Sequence, residues 1–531
     1  MLGGRRFAVV EDGLGVAPAL AALLERHGAR VRTIGPEQLT AAGPEGLDGP
    51  GEPEGPDKPH RLVGAGPDGL DRLGGPDRPD GPEDLAEVDG LIDLSALRPA
   101  SGPVLPEIFA RLRRVLTGGA RWLVLVTGCG GSFGRDGVSG PDPLPGSGLR
   151  GFARSAALEY PGTLVRAVDT DPKDSPERIA AQLLAELCAA EEPVVVGYRD
   201  GARQLLRTVE APLGDAPAAP APTPGAVVLL TGGARGITAR VALALARATG
   251  CHIELVGRTP ASAQEGEDPA LAHAQDRVAL RAALIARGLR TPAEIEAAAS
   301  RVLAAREVRA TLSALTEVAA SVRYHCADVT QEAAVRAVVA DVRARHGRLD
   351  GIVHGAGTLR DALLADKDAA SFAEVFATKV DGARHLAAAA ADHGSGPAPA
   401  FLALFGSIAG VHGNRGQTDY AAANDALDTL AHAWTAAGFP GRVLALDWGP
   451  WAAESGGMVG PELERAYTRR GIPLIRPDAG AAAFLAELAY GRDTQVVLLA
   501  PDPEDGRTED GHAADGHAAD GHAAGGGRAD G

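Results

Sequence analysis

At residues 227–238 the chain reads Val-Val-Leu-Leu-Thr-Gly-Gly-Ala-Arg-Gly-Ile-Thr. The apolar start predicts a buried strand, and the apolar periodicity of residues 239–248 predicts a helix after it. Glycines between a strand and a helix let the backbone approach a pyrophosphate, whose charge is favoured by the free N–H groups of the helix. The stretch therefore predicts the first crossover of a dinucleotide-binding sheet. The cofactor contacts predicted in its turn are Thr231, Gly232, Gly233, Arg235, Gly236 and Ile237.

The end of the next predicted strand indicates which dinucleotide is bound. An NAD site places an acidic residue about twenty residues beyond the glycine turn, where it binds the ribose 2′-OH. This chain has Gly257-Arg258-Thr259 there. The guanidinium of Arg258, assisted by Arg235, can pair with a 2′-phosphate, so NADPH is the predicted cofactor. The alternative is that Arg258 is a solvated loop cation.

Alternating strands and helices continue this pattern to residue 500. Strands are predicted near 226–231, 252–257, 321–326, 350–354, 400–406, 442–447 and 495–499. Each adjoins an amphipathic helix, which indicates one parallel, doubly wound sheet. Residues 270–319 carry helical periodicity between the second and third strands. Thr291-Pro292-Ala293-Glu294 is typical of a helix start, with a capping Thr and a first-turn Pro, so we predict a helical insertion.

The first 210 residues repeat the α/β pattern without a nucleotide fingerprint. A strand at 7–10, a helix ending near Arg26 and a strand at 31–34 form a β-α-β start. The turn at 12–15 offers two glycines and an acidic residue, where a pyrophosphate requires N–H groups and no repulsion. Further strands are predicted near 88–94, 121–127, 163–169 and 193–198, with helices near 104–117, 148–159 and 175–190. We predict a second open sheet over residues 1–210.

Three segments fall outside the two predicted sheets. Residues 41–87 are rich in Gly, Pro, Asp and Glu and predict a flexible insertion. Residues 211–225 form a Pro/Ala linker that separates a unit of residues 1–210 from one of residues 226–500. In the tail, 501–531, the sequence Asp-Gly-His-Ala-Ala occurs three times. A disordered tract is favoured there over a metal site made from its histidines.

Composition excludes several classes of function. The formal net charge of -17 argues against a nucleic-acid partner, which requires clustered Lys and Arg. The four cysteines, at 129, 188, 251 and 326, form no CxxC pair, which indicates reduced thiols and a cytoplasmic location. No apolar run approaches the length of a membrane span. The sequence therefore predicts a cytoplasmic protein with no membrane partner and no metal site.

A hydroxyl, a phenol and an amide follow the fifth strand of the second sheet. Ser407 ends that strand, and Tyr420 opens an Ala-rich helix that carries Asn424 on the same face. Ser407 can hold a carbonyl oxygen and Tyr420 can give it a proton. Lys379 lies among apolar residues, where a buried ammonium needs a polar role; behind Tyr420 it would lower the pKa of the phenol. A snorkelling surface Lys is the alternative.

Two further turns complete the predicted cofactor site. Asp328, beside Val329, ends the third strand and can contact an adenine amine or cap a helix beginning at Thr330. The small residues that follow the fourth strand allow backbone to lie against the ribose. They are Gly355, Ala356 and Gly357.

Taken together, these motifs resemble the short-chain dehydrogenase/reductase superfamily and, within it, the ketoreductase domains of polyketide and polyunsaturated fatty acid synthases. The matching motifs are Thr231-Gly232-xxx-Gly236-Ile237, Gly257-Arg258, Asp328-Val329, Gly355-Ala356-Gly357, Ser407, Tyr420-xxx-Asn424 and Asp447-Trp448-Gly449-Pro450-Trp451. Ordinary superfamily members have Lys four residues after the catalytic Tyr. Synthase ketoreductases have Asn there and take Lys from the preceding helix, as Asn424 and Lys379 do here.

The resemblance implies an NADPH-dependent reductase of β-ketoacyl chains tethered to an acyl carrier protein, working with polyketide or fatty acid synthase components. It implies an α/β fold of two Rossmann-like doubly wound parallel sheets, the first truncated and cofactor-free. Gly148-Leu149-Arg150-Gly151-Phe152 and Glu159-Tyr160-Pro161-Gly162 resemble the signature of that first sheet. The helical insertion and Gly456-Gly457-Met458-Val459 are similar to the polyunsaturated fatty acid, enediyne and iterative types. Residues 452–472 would form a mobile lid.

Departures from the family pattern leave alternatives open. This chain has Leu359-Arg360-Asp361 where one stereochemical class has Leu-Asp-Asp, and His412 where the opposite class has Trp. The configuration of the product hydroxyl therefore leans towards the Leu-Asp-Asp type.

The rival functions are a free-standing reductase of small ketones and a catalytically silent scaffold that docks carrier proteins. Met1 and the low-complexity tail favour a discrete protein over a piece of a larger synthase.

Overall fold

The computed structural model describes most of both predicted sheets. It covers residues 2–35, 85, 87–98, 103–135, 145–189, 193–217, 222–260, 268–392, 396–452, 464–465, 469 and 472–501. The predicted insertion at 41–87, the predicted lid at 452–472 and the predicted tail at 501–531 lie almost entirely outside the described residues. No described helix has both the length and the apolar character needed to cross a membrane.

Seven strands form the sheet of the first half. They are β1 (Arg6–Val10), β2 (Arg30–Ile34), β3 (Gly90–Asp93), β4 (Trp122–Thr127), β5 (Leu164–Asp169), β6 (Val195–Arg199) and β7 (Ala202–Gln204). Their order is β2-β1-β3-β4-β5-β6-β7, parallel up to β6, and β7 pairs antiparallel with β6. Every residue of β4 is buried, as expected for a parallel strand covered on both faces.

Seven parallel strands form the sheet of the second half. They are β8 (Val227–Thr231), β9 (His252–Gly257), β10 (Ser321–Cys326), β11 (Gly351–His354), β12 (Phe401–Ser407), β13 (Arg442–Trp448) and β14 (Gln495–Leu498). Their order is β10-β9-β8-β11-β12-β13-β14. The chain runs outward from β8 to β10 and then crosses to β11 on the other side of β8. Ligands of such sheets bind at the carboxyl ends of the strands where the order reverses, here β8 and β11. The predicted fold class is confirmed.

Helices connect the strands of both sheets. In the first half they are Val16–Arg26, Phe109–Thr117, Leu149–Glu159 and Pro176–Cys188, with a 3-10 turn at Ser95–Leu97. In the second half they are Gly236–Thr249, Pro269–Ala272, Arg277–Ala286, Pro292–Thr316, Glu332–His346, Ala369–Ala391, Ile408–His412, Thr418–Ala436 and Pro477–Tyr490. The predicted helical insertion is confirmed. Thr291 and Glu294 form a reciprocal capping box at the start of its longest helix.

Some predicted boundaries were wrong. The helix predicted from residue 104 begins at Phe109, because Pro106 lies in the turn before it and supplies no N–H group. The helix predicted to begin at Thr330 begins at Glu332, after Gln331. Strand β7 was not predicted, because its three residues are all exposed and carry no apolar alternation.

A carboxylate of the chain itself binds the N-terminus of the first helix of the first sheet. The buried carboxylate of Asp12 accepts hydrogen bonds from the backbone N–H groups of Leu14, Val16 and Ala17, at 2.6, 3.1 and 2.7 Å. These include donors at the start of helix Val16–Arg26, which a dinucleotide would require. A built-in anion therefore occupies the position at which a cofactor phosphate would bind in a functional sheet.

A pair of helices forms a large part of the contact between the two halves. Helix Leu149–Glu159 lies against helix Thr418–Ala436, and a Cβ added at Gly151 would lie 2.1 Å from the carbonyl oxygen of Ala421. Arg150 forms a buried ion pair with Asp425 at 2.9 Å. The first half therefore supports the helix that carries Tyr420.

Candidate active site

A cavity of about 700 Å³ lies where the order of the second sheet reverses. Twelve of the predicted site residues line it: Gly232, Arg235, Gly236, Ile237, Arg258, Val329, Gly355, Ala356, Gly357, Lys379, Ser407 and Tyr420. Four do not contribute to its wall, namely Thr231, Gly233, Asp328 and Asn424. The structure thus brings residues from distant parts of the chain to one crevice.

Tyr420 lies in the first turn of helix Thr418–Ala436 and is 8% exposed. Burial raises the pKa of its phenol to about 12, although hydrogen bonds with the Ser407 and Asn424 side chains act in the opposite direction. We expected the charge of Lys379 to lower this pKa, but burial outweighs the lowering effects in the protein alone. The phenol is therefore protonated at neutral pH and can act as an acid.

Lys379 is buried rather than snorkelling at the surface, and its side chain faces Tyr420. Its ammonium donates to the carbonyl oxygen of Phe405 at 2.7 Å and lies 5.4 Å from the centre of the Tyr420 ring. Burial lowers the pKa of Lys379 to about 8, although the charges of Asp447 and Asp428 act to raise it. A lysine with this pKa can exchange a proton near neutral pH.

Ser407 and Asn424 each form a hydrogen bond with the backbone. The Ser407 hydroxyl oxygen accepts the N–H of Ala409 at 3.2 Å, which caps the short helix after β12 and fixes the side chain at the strand end. Asn424 is fully buried, and its amide donates to the carbonyl oxygen of Tyr420 at 2.7 Å. Its side-chain oxygen has no partner among the described residues. Asn424 therefore acts behind Tyr420 rather than on the cavity wall.

His354, whose role the sequence did not reveal, links the glycine turn to the lysine helix. Its Nε2 lies 2.9 Å from the carbonyl oxygen of Lys379, which only accepts, so Nε2 carries the proton. Nδ1 then accepts from the hydroxyl of Thr231 at 2.8 Å. Burial, followed by the charge of Lys379, lowers the pKa of His354 to about 3, which keeps the ring neutral. Through His354, Thr231 at the end of β8 is therefore linked to the helix that carries Lys379.

Both predicted phosphate-binding arginines are paired with carboxylates. Arg235 donates from Nε to Glu307 at 3.0 Å, and Glu307 also accepts the N–H of Gly236 at 2.8 Å. Nη1 of Arg258 lies 4.0 Å from Glu374. The two guanidinium side chains are 51% and 53% exposed, so an incoming phosphate can reach them.

The carboxylate of Asp328 binds a residue two positions further along the chain. Its Oδ1 accepts the N–H and the hydroxyl of Thr330 at 2.9 and 2.8 Å, two residues before the helix begins. Asp328 therefore stabilises a turn before the helix and does not cap a helix that begins at Thr330. The neighbouring Val329, 5% exposed, reaches the cavity wall.

A buried ion pair beside Tyr420 was also not predicted. The Nζ of Lys367 lies 2.7 Å from Oδ2 of Asp419, and both side chains are almost fully buried. Lys367 also donates to the carbonyl oxygen of Arg360, while Oδ1 of Asp419 accepts the N–H of Tyr420. The pair therefore joins the loop after β11 to the first turn of the tyrosine helix.

Arg360, which departs from the Leu-Asp-Asp pattern, and Asp361, which matches it, both form polar contacts. Arg360 forms an ion pair with Glu374 at 3.0 Å. The carboxylate of Asp361 accepts from Nε2 of Gln417 at 3.0 and 3.1 Å, three residues before Tyr420. Asp361, Gln417 and His412 all line the cavity. The retained Asp361 is thus an acidic residue of the cavity wall.

The first half holds the loop before Tyr420 in place. Glu159 accepts the N–H of Gly416 at 2.9 Å and that of Leu364 at 2.6 Å, through its two carboxylate oxygens. Ser155 accepts the N–H of Asn414 at 3.0 Å, and Arg154 donates to Gly410 at 2.7 Å. The first half therefore holds residues 410–416, which adjoin the cavity, in place.

Comparison with known proteins gives a consistent picture. The model of the KR domain family matches residues 226–453. The chain is 31% identical over 412 residues to the A component of the polyunsaturated fatty acid synthase of Thraustochytrium sp., a match that covers 73% of this chain and 14% of that protein. It is 30% identical over 424 residues to polyketide synthase GfsA of Streptomyces halstedii, which covers 77% of this chain and 5% of that protein. The chain thus spans a small part of these curated relatives.

Solved structures share the fold. The first ketoreductase of the tylosin polyketide synthase has a TM-score of 0.60 and 25% identity, over 93% of this chain and 90% of that chain. The ketoreductase PlmKR1 of phoslactomycin biosynthesis in Streptomyces sp. HK803 has a TM-score of 0.61 and 22% identity, over 94% and 89%. With the family match and the curated relatives, these findings confirm the resemblance. The chain belongs to the ketoreductase (KR) domains of polyketide and polyunsaturated fatty acid synthases, within the short-chain dehydrogenase/reductase superfamily.

Proposed function

We propose that this protein reduces a β-ketoacyl thioester, tethered to an acyl carrier protein, to the β-hydroxyacyl thioester with NADPH. The observation that carries the proposal is the convergence of Tyr420, Ser407 and Lys379 on one cavity, with Asn424 directly behind. The partners we propose are the carrier protein and other components of a polyketide or fatty acid synthase. We place the reaction in the cytoplasm, in keeping with four cysteines that are all free thiols.

The crevice fits a nicotinamide dinucleotide phosphate. A Cβ added at Gly232 would lie 2.9 Å from the carbonyl oxygen of Gly355, so the backbone there leaves no room for a side chain beside a pyrophosphate. Arg235 and Arg258 are accessible cations, and β9 ends in Gly257 followed by Arg258 rather than an acidic residue. When bound, the cofactor supplies the hydride that reduces the ketone carbon.

The side chains of this chain handle the oxygen of the substrate. The hydroxyls of Ser407 and Tyr420 donate hydrogen bonds to the carbonyl oxygen as it gains negative charge, and Tyr420 then gives up its proton. The Lys379 cation behind the ring lowers the cost of forming the tyrosinate. Asn424 fixes the first turn of the helix through the Tyr420 carbonyl, which holds the phenol in position.

Cofactor preference tests the first part of the proposal. Binding of NADPH and NADH is measured by fluorescence titration in the wild type and in Arg258→Ala. We expect NADPH to bind more tightly by on the order of tenfold or more, and the variant to lose most of that preference because a phosphate loses its cation. Arg240→Ala, on the helix after the glycine turn, is the control. Equal binding of both cofactors by the wild type would refute the assignment of NADPH.

Substrate preference separates the rival functions. Rates of NADPH oxidation are compared for a β-ketoacyl chain on a carrier protein, the same chain on N-acetylcysteamine, and a small cyclic ketone. We expect the largest kcat/KM with the carrier-bound chain. A preference for the free ketone would support a free-standing reductase, and NADPH binding without turnover of any substrate would support a silent scaffold.

A further inference from the structure

The carboxylate of Glu374 lies between two arginines that belong to different parts of the cavity. Arg258, the expected cation for a cofactor 2′-phosphate, directly follows β9. Arg360 lies in the loop after β11, between two residues of the cavity wall. Glu374 itself lies in the second turn of helix Ala369–Ala391. Because β9 and β11 flank β8, Glu374 connects the two sides of the crevice in which the cofactor is expected to bind.

The two arginines hold Glu374 unequally. Nε and Nη2 of Arg360 donate to the two carboxylate oxygens at 3.0 and 3.1 Å, which is a bidentate pair. Nη1 of Arg258 lies 4.0 Å from Oε1, the oxygen that also accepts from Nη2 of Arg360. Oε1 is therefore shared between two guanidinium groups, and its contact with Arg258 is the longer and weaker of the two.

The backbone of Arg360 is tied to the helix that carries Tyr420. Its carbonyl oxygen accepts from Nζ of Lys367 at 2.6 Å, and the same Nζ lies 2.7 Å from Oδ2 of Asp419. Oδ1 of Asp419 accepts the N–H of Tyr420 at 2.8 Å. A continuous set of contacts therefore leads from Arg258 to Tyr420, and its inner members, Lys367 and Asp419, are almost fully buried.

The loop of Arg360 also contributes polar groups to the cavity wall. The carboxylate of Asp361 accepts from Nε2 of Gln417 at 3.0 and 3.1 Å, and both residues line the cavity. The N–H of Ala362 donates to the carbonyl oxygen of Gly416 at 3.0 Å. A change in the position of Arg360 therefore changes the wall against which a substrate would lie.

A phosphate on Arg258 would change the balance of charges at Glu374. In the protein alone, two cations share one carboxylate. A phosphate monoester carries roughly two negative charges at pH 7 and binds a guanidinium through two parallel hydrogen bonds. It would therefore draw Arg258 away from Glu374 and repel the carboxylate. Glu374 would then belong to Arg360 alone.

We propose that Glu374 is a positioning residue through which a bound cofactor 2′-phosphate fixes the loop of Arg360 in the arrangement that receives the β-ketoacyl chain. The inference rests on the proposed function. A cofactor without the 2′-phosphate leaves Glu374 shared with Arg258, so the loop is held less firmly. The ketone is therefore expected to bind more tightly beside NADP⁺ than beside NAD⁺. By linkage, the ketone increases the preference for NADP⁺ by the same factor.

Complexes with oxidised cofactor test this coupling without turnover, because NADP⁺ and NAD⁺ have no hydride to give a ketone. The Kd of a β-ketoacyl thioester of N-acetylcysteamine is measured by calorimetry with the protein saturated with either cofactor. We expect the wild type to bind the thioester about fivefold more tightly beside NADP⁺, and Glu374→Gln to bind it equally beside both. Glu332→Gln is the matched control, since Glu332 forms an exposed ion pair with Arg336 at 2.7 Å, and it is expected to keep the wild-type ratio.

A second pair of variants separates the coupling from cofactor preference. Arg360→Gln is expected to keep the preference for NADP⁺ over NAD⁺ and to lose the fivefold difference in thioester binding. Arg258→Ala is expected to lose both. Arg360→Gln also carries the test if Glu374→Gln fails to fold, as judged by thermal unfolding. A wild-type ratio of thioester affinities in Arg360→Gln would overturn the coupling.

The outcomes distinguish the coupling from the proposed function. Equal affinity for the thioester beside NADP⁺ and NAD⁺ in the wild type overturns the coupling alone, as does a wild-type ratio in folded Glu374→Gln. If the thioester binds in neither complex and is not reduced with NADPH, the proposed function fails, and the coupling fails with it.

Discussion

Replacing Lys367 with methionine would leave the carboxylate of Asp419 buried without its cation. Both side chains are almost fully buried, at 0% and 1% exposure, and their charged atoms are 2.7 Å apart. Removing one partner of a buried ion pair costs about 3–5 kcal/mol, because the remaining charge has no compensation. For a domain of 150–250 residues this lowers the melting temperature by roughly 6–20 °C. The substitution also removes the hydrogen bond from Lys367 to the carbonyl oxygen of Arg360.

The pH dependence of this loss has a definite sign. Burial raises the pKa of Asp419, and the charge of Lys367 acts against that rise. Without the lysine the pKa rises further, so the carboxyl group becomes neutral at a higher pH and the buried charge disappears. The destabilisation of Lys367→Met is therefore expected to be larger at pH 8 than at pH 6.

Thermal unfolding followed by circular dichroism measures these effects. The double variant Lys367→Met with Asp419→Asn is expected to be more stable than the sum of the two single changes predicts, because no charge is left unpaired. Lys173→Met, at an exposed lysine, is the control. A melting temperature of Lys367→Met equal to that of the control at pH 8 would refute the stabilising role of the pair.

Three other changes test separate parts of the structure. Gly151→Leu is expected to lower stability by several kcal/mol in thermal unfolding, since even a Cβ would lie 2.1 Å from the carbonyl oxygen of Ala421. Gly162→Leu is the control, because a Cβ added there has no atom within 4 Å; equal melting temperatures would contradict the close packing. Glu307→Gln removes the carboxylate that pairs with Arg235, so the guanidinium is free to pair with a phosphate, and NADPH is expected to bind about fivefold more tightly in fluorescence titration. Weaker binding by the variant would contradict this and would indicate that Glu307 supports the glycine turn. The pKa of His354 is lowered to about 3, so between pH 6.5 and 3 the unfolded chain binds more protons than the folded chain, and stability falls as the pH falls. In urea unfolding, His354→Asn is expected to reduce the slope of this fall by about 1.4 kcal/mol per pH unit. An unchanged slope would contradict the buried neutral ring.

Local patterns in the sequence predicted most of the second sheet. The strand before Thr231 and the capping box at Thr291 depend on neighbours only a few residues apart, so periodicity and turn chemistry suffice to find them. The helix after Asp328 was placed two residues early, because Thr330 has the composition of a cap but its hydroxyl donates to Asp328 instead.

Contacts between distant residues were not predictable in the same way. Lys367 and Asp419 are 52 positions apart, and Gly236 and Glu307 are 71 apart. Neither pair has a local signal, because a buried charge is indistinguishable in sequence from a surface charge until the fold is known. Lys379 shows the limit most clearly: its apolar neighbours suggested burial, and only the packing of its helix against Phe405 settled where the ammonium lies.

The rate of hydride transfer in Tyr420→Phe tests the central claim most directly. NADPH oxidation is followed with a β-ketoacyl chain on a carrier protein, and NADPH binding to the variant is titrated separately. We predict a loss of about 10²–10⁴-fold in the first turnover with wild-type cofactor affinity, because the phenol supplies the proton but does not hold the dinucleotide. A variant that turns over at the wild-type rate would contradict the account.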